Sequence, residues 1–245
     1  MNKKIILGTA TRWDPIKNRL IVRISENEIG FVPGSELTTY DGFGVDQYSY
    51  SRAAAYCIDI QLPYMVTSTS IEGPILSRRL LAEDTITTIK SEKFHDYVIG
   101  TITGFAENGV YVDVNGAYGL CLSSELSYCF LSTPSLSFNR GEKYQFAITK
   151  ITEDNKLCLS RISTLPSKEV LLQEYVPNTI ISGVLLAPVN RKLDNEEMQS
   201  WFFIADNTVP GMVDIPIKRK VRPGDSASIA ITRHTDKGLR GNLAC

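Results

Sequence analysis

Gly100-Thr101-Ile102-Thr103-Gly104-Phe105, Val110-Tyr111-Val112-Asp113-Val114 after Asn108-Gly109, and Gly119-Leu120-Cys121-Leu122 after Asn115-Gly116 decide the fold. Apolar residues alternate in each run, as half-buried antiparallel strands require. The Asn-Gly pairs supply the positive backbone torsions of tight hairpin turns. Ser123-Ser124-Glu125-Leu126 follows, a Gly141-Glu142 turn leads to Tyr144-Gln145-Phe146-Ala147-Ile148, and Lys156-Leu157-Cys158-Leu159-Ser160 is the last strand. Five strands over Val98 to Ile162 are the length of one small barrel.

The order Gly-x-Ile, Gly-x-Tyr-Val-Asp, Gly-Leu, Ser-Glu-Leu, Gly-charged and a closing Leu159-Ser160-Arg161 resembles the ribosomal S-one type RNA-binding domain, an OB-fold module. The resemblance implies bases stacked on aromatic side chains of the second and third strands, with Lys and Arg at the groove edge meeting phosphates. Of the family's site positions the segment keeps an aromatic as Tyr111 and a basic residue as Lys156. The other positions read Asn108, Leu122 and Thr152, departures that weaken the case for RNA binding by this copy alone. Strands favour aromatics anyway, so Tyr111 also reads as a tyrosine filling one face of a sheet.

Working outward, the anchors repeat. Ser35-Glu36-Leu37 and Leu76-Ser77-Arg78 correspond to Ser124-Glu125-Leu126 and Leu159-Ser160-Arg161, marking a divergent first copy. Thr38 to Tyr56, polar and rich in Tyr and Gly, falls where its long loop between the third and fourth strands belongs. That copy has Ile21 at the aromatic position and Pro33 in place of the family's His, leaving Arg12, Trp13 and Arg23 as its RNA-contact candidates. A third copy starts at Ile181-Ser182-Gly183 and continues through Trp201-Phe202-Phe203-Ile204 and Gly211-Met212-Val213. The spacing from Ile204 to Gly211 equals that from Val112 to Gly119, so Phe203 is matched to Tyr111, with Trp201 on the same face two residues earlier. The pair reads either as a stacking platform or as core packing.

The expectation is an all-β chain of tandem five-stranded OB-fold barrels, two to three S-one-like repeats joined by short α-helices. The boundaries are 1–77, 94–163 and 177–245, with helical connectors at 78–93 and 164–176. Ser77 is placed to cap the first connector, and Pro166 to precede the first turn of the second. Three such copies with helical joints also resemble small three-repeat bacterial proteins of this superfamily.

Composition bounds the partners. The 245 residues carry a net charge of -1, so polyanion binding must come from local patches. From Ile215 onward seven basic residues face two acidic ones, a local charge of +5. Lys218, Arg219, Lys220 and Arg222 fall in the loop before the fourth strand of the third copy, at the barrel rim, and Arg240 belongs to the same basic half. A solvated loop is the bland reading of that run.

Five scattered cysteines without a Cys-x-x-Cys pair read as reduced thiols of a cytoplasmic protein, and with two histidines they give no zinc-ligand spacing. Asp41-Gly42-Phe43-Gly44 lacks the Lys of a phosphate loop, and Asp194, Glu196 and Glu197 read as a hairpin tip rather than a magnesium site. The first eight residues are too short for a signal sequence, and no run approaches membrane-spanning length. No nucleophile has an identifiable base, and no cofactor or metal is expected. Two functions remain: a non-catalytic binder of single-stranded RNA working at the ribosome or in translation, and a docking adaptor whose degenerate barrels hold a protein.

Overall fold

The alternation read in the sequence closes into barrels. The computed structural model describes residues 4–37, 47–91, 97–189 and 198–244. The first barrel is β1 (Ile5–Asp14), β2 (Arg19–Arg23), β3 (Ile29–Pro33), β4 (Gln61–Ser70) and β5 (Gly73–Ser77). The second is β6 (Val98–Ala106), β7 (Gly109–Val114), β8 (Ala117–Leu122), β9 (Lys143–Ile151) and β10 (Leu157–Ser160). The third is β11 (Ile180–Pro188), β12 (Met198–Ala205), β13 (Val209–Pro216), β14 (Ser226–Thr235) and β15 (Gly238–Leu243). In each, the fifth strand runs parallel to the third, and the fourth closes antiparallel on the first. That is the expected tandem OB-fold order.

Helices α1 (Gln47–Ala55), α2 (Arg79–Ser91), α3 (Ser123–Leu126) and α4 (Lys168–Gln173) fill the connections. Where a loop was expected before Tyr56, the Ala53-Ala54-Ala55 run, which has strong helix propensity, ends α1, and Ala53, Ala54 and Cys57 are buried in the first barrel's core. Ser77 caps α2, its Oγ accepting from Leu80 N–H at 2.9 Å. Ser167, one residue beyond Pro166, caps α4 by accepting from Val170 N–H at 3.4 Å. Asp41 to Gly44, His95, Asp194, Glu196, Glu197 and Cys245 lie outside the described residues.

The repeated anchors bond to one another. Arg78 N–H donates to Glu36 O, and Arg161 N–H donates to Glu125 O, each at 2.8 Å. In both repeats the Leu-Ser-Arg backbone is thereby tied to the Ser-Glu-Leu turn, joining the end of the fifth strand (β5, β10) to the end of the third (β3, β8).

By compactness the chain divides into two units. One comprises Met1–Ala106, Val110–Cys121 and Asn139–Ser160; the other comprises Glu107–Gly109, Leu122–Phe138 and Arg161–Cys245. In the first, the buried Arg78 guanidinium pairs with the Asp113 carboxylate on β7 and donates to Pro63 O at 2.9 Å. A charge pair this deeply buried is costly to break, because removing one partner strands the other in a low-dielectric interior. In the second unit Arg161, which occupies the same motif position, donates to Leu126 O at 3.0 Å, Asn207 O at 2.9 Å and Thr208 Oγ1 at 3.0 Å. Each Leu-Ser-Arg arginine therefore grips the strand-two hairpin of the repeat that follows it.

The third copy differs from the second by one turn residue. Asn115 and Gly116, both at positive φ, join β7 to β8, whereas Asp206, Asn207 and Thr208 join β12 to β13. Gly211 pairs with Phe203, while Gly119 lies against the carbonyl of Val112. Val112 therefore corresponds to Phe203, and Tyr111 corresponds to Phe202. Read back from the turn, Gly109 to Val114 and Ser200 to Ala205 show the same pattern, with the third position alone not buried.

Candidate nucleic-acid interface

This offset corrects the expected stacking pair. A one-residue slip moves every side chain of a strand to the opposite face. Phe203 is 0% exposed, and its ring fills the space that Gly183 and Gly211 leave open in the third core. A Cβ at Gly211 would come within 2.2 Å of that ring. Trp201 is 7% exposed and belongs to the same core, so neither ring presents a face to solvent. The residue between them, Phe202, points outward and is 44% exposed.

On the outside of the third barrel, strand register builds a row across four strands. Phe202 on β12 pairs with Met212 on β13, Met212 with Arg240 on β15, and Arg240 with Arg233 on β14. Directly opposed residues share a face. An aromatic ring, a soft thioether side chain and two guanidinium groups thus stand side by side. Among the described residues neither arginine is ion-paired, and both keep solvent access. Arg240, named from the sequence, falls in this row. Phe202 and Arg233 were missed, although the Asp206-Asn207 turn signal could have reset the register.

The basic loop sits at the open end of the same barrel. Lys218, Arg219, Lys220 and Arg222 are all exposed. A cleft of about 360 Å³ lies inside their rim, lined by Arg219, Lys220, Arg222, Gln199, Ile215 and Trp201. The structure thus brings the rim and Trp201 together as expected, but with the indole as floor rather than platform.

The second barrel presents the same strand position in another setting. Tyr111 is half-buried: the Tyr56 ring meets it edge-on at 5.2 Å and 84°, and the Tyr118 ring lies 5.5 Å away, tilted by 37°. Lys156 Nζ stands 5.8 Å above the Tyr118 ring. Tyr111 and Lys156 therefore share one patch, bridged by Tyr118, which sequence reading did not single out. Arg140 holds the cover in place. It donates to Thr103 O and Ala55 O at 2.8 Å and to Ile58 O at 3.2 Å, pinning the end of α1 across the barrel. Gly104 is required beneath, since a Cβ there would stand 2.7 Å from the Tyr56 ring. Burial and the neighbouring Tyr111 push the Tyr56 phenol above its usual range.

In the first barrel Arg12 and Arg23 are exposed, while Trp13 packs against the core with its indole nitrogen buried. Lys17 and Arg19 are held by Glu72, and the Arg19 guanidinium lies 3.8 Å over Phe31. Cys57, Cys121 and Cys129 are buried and outside any disulfide, and burial pushes the Cys129 thiol up to about 12. Among the described residues no cluster of three or more His, Cys, Asp or Glu could hold a metal ion. None of the described helices is long and apolar enough to cross a membrane.

No family model matches the chain. The small ribosomal subunit protein bS1 of Staphylococcus aureus is 25% identical over 198 residues, covering 77% of this chain and 47% of that protein. The bS1 homolog of Bacillus subtilis is 25% identical over 179 residues, covering 70% and 44%. The chain spans about half the length of the curated relatives it matches. Among solved structures, a multidomain protein with nucleic acid binding domains from Streptococcus pneumoniae aligns over 98% of this chain and 72% of its own, at 11% identity and a TM-score of 0.29. Structural similarity that low says nothing about function. The sequence relationship is distant, and it makes this chain a remote relative of the bS1 ribosomal proteins.

Proposed function

We propose that the chain is a non-catalytic, single-stranded RNA-binding protein of the cytoplasm, acting at the ribosome or in the control of translation, and that its third barrel makes the principal contact. The observation that carries this reading is the row Phe202, Met212, Arg240 and Arg233 on that barrel's outer face. Single strands present flat base faces and a regular line of phosphates, and an exposed ring beside two solvent-accessible guanidinium groups meets both. The loop Lys218 to Arg222 adds cations at the barrel end. The sequence relationship to bS1 supports the RNA and translation setting.

The docking-adaptor reading would rest on an apolar cleft of about 560 Å³ in the first unit, where Ile5, Leu7 and Ile99 are more than half exposed. Nothing about that cleft specifies the chemistry of a partner, whereas the third barrel's face does.

Fluorescence anisotropy with short labelled single-stranded RNAs, at low and near-physiological salt, tests the function. Binding that weakens steeply with salt is expected, because displaced counterions drive it. Absence of binding at low salt would reject the reading.

A further inference from the structure

Beside the row lies a cleft of about 460 Å³ whose far wall comes from outside the third barrel. The wall is the segment after α3, with Tyr128, Phe130 and Leu136 lining the cleft; the barrel supplies Pro188, Phe202 and Lys237. All of these residues belong to the second compact unit. The wall is anchored, since Tyr128 N–H donates to Thr208 O at 3.2 Å and its hydroxyl to Pro166 O at 2.9 Å. The Arg161 bonds to Leu126, Asn207 and Thr208 tie the root of the segment to the β12–β13 turn. Held by these bonds, Phe130 nevertheless leaves 87% of its surface exposed, and Phe202, 44% exposed, lines the same cleft from the barrel.

We propose that this cleft is a base-binding slot, in which one base of a single-stranded RNA enters between Phe130 and Phe202 while Lys237 takes an adjoining phosphate. The inference rests on the RNA-binding reading and adds a specific subsite to it. Charge favours RNA over an apolar peptide as the occupant. Among the described residues Lys237 is the sole charged one lining the cleft, and the row beside it continues into Arg240 and Arg233. The size suits a small planar group, because pockets for such ligands run from about 300 to 1,000 Å³. Anchoring the wall beforehand limits the ordering entropy lost on binding.

The test uses the full chain and a short single-stranded RNA carrying one 2-aminopurine, whose fluorescence is quenched by stacking. The wild-type chain is expected to quench it. Phe130→Ala should relieve the quenching and weaken binding by about five- to 150-fold, the loss of one stack, without changing the salt slope. Phe130→Tyr should retain both signals, and Lys237→Ala should lower the slope by about 0.7 while keeping the quenching. Unaltered affinity and quenching in Phe130→Ala, in a chain that binds RNA, would overturn the slot, leave the general reading standing and give the cleft to a protein segment. A wild-type chain that binds no RNA would overturn both.

Discussion

Tyr111 and Phe202 occupy the same position, three residues before the end of the second strand of their barrels, yet their surroundings oppose each other. The Tyr111 ring is in contact with both Tyr56 and Tyr118, whereas Phe202 is open and followed across the sheet by Met212 and two arginines. The repeat that best keeps the Ser-Glu-Leu and Leu-Ser-Arg sequence pattern is the one whose strand-two aromatic is half-buried. The repeat that keeps it least has the open face. Motif quality reports how well the barrel is specified; access depends on what other segments lay across it.

Breaking this contrast at its base gives the largest effect. Asp113→Ala should leave Arg78 as an unpaired buried charge and cost about 3–5 kcal/mol of stability, read as a fall in the denaturant midpoint. Phe203→Ala should cost a similar amount, about 3–5 kcal/mol, by opening a cavity in the third core. The adjacent Phe202→Ala should change stability little and instead remove about 1–3 kcal/mol of RNA affinity. Equal behaviour of the two neighbours in unfolding and binding assays would refute the inside–outside assignment.

Arg240→Ala and Arg233→Ala should each reduce the slope of log affinity against log salt by about 0.7, measured by anisotropy titrations at several salt concentrations. Tyr111→Ala in the same assay should alter affinity far less than Phe202→Ala. The smallest expected effect belongs to Tyr56→Ala, which takes the cover off Tyr111. It should raise RNA affinity by less than one full stack of about 1–3 kcal/mol, and a loss of affinity would show that Tyr56 itself contacts RNA.

Much of the fold was legible in the chain. Asn115-Gly116 marked a hairpin, Ser77 marked a helix start, and the paired Ser-Glu-Leu and Leu-Ser-Arg anchors marked the repeats, because turns, caps and crossovers are satisfied by residues close in sequence or fixed in spacing. Of the proposed site, Arg240 and the basic loop were legible as charge, and the structure places Trp201 beside the loop as a buried floor. The identity of the exposed ring was not. Equal spacing to a glycine matched Phe203 to Tyr111, and the extra residue in Asp206-Asn207-Thr208 reversed the faces.

The sequence by itself determined three five-stranded barrels, their order and the concentration of cations in the last. Only the tertiary structure decided which aromatic faces outward, that Tyr56 and Arg140 close the second barrel's face, and that a segment led by Phe130 stands against the third. The reason is physical. Alternation and turns are local, and strands carry them openly in their side-chain pattern. Exposure is set by packing between residues far apart in the chain, and a period of two turns a single-residue error into the opposite face.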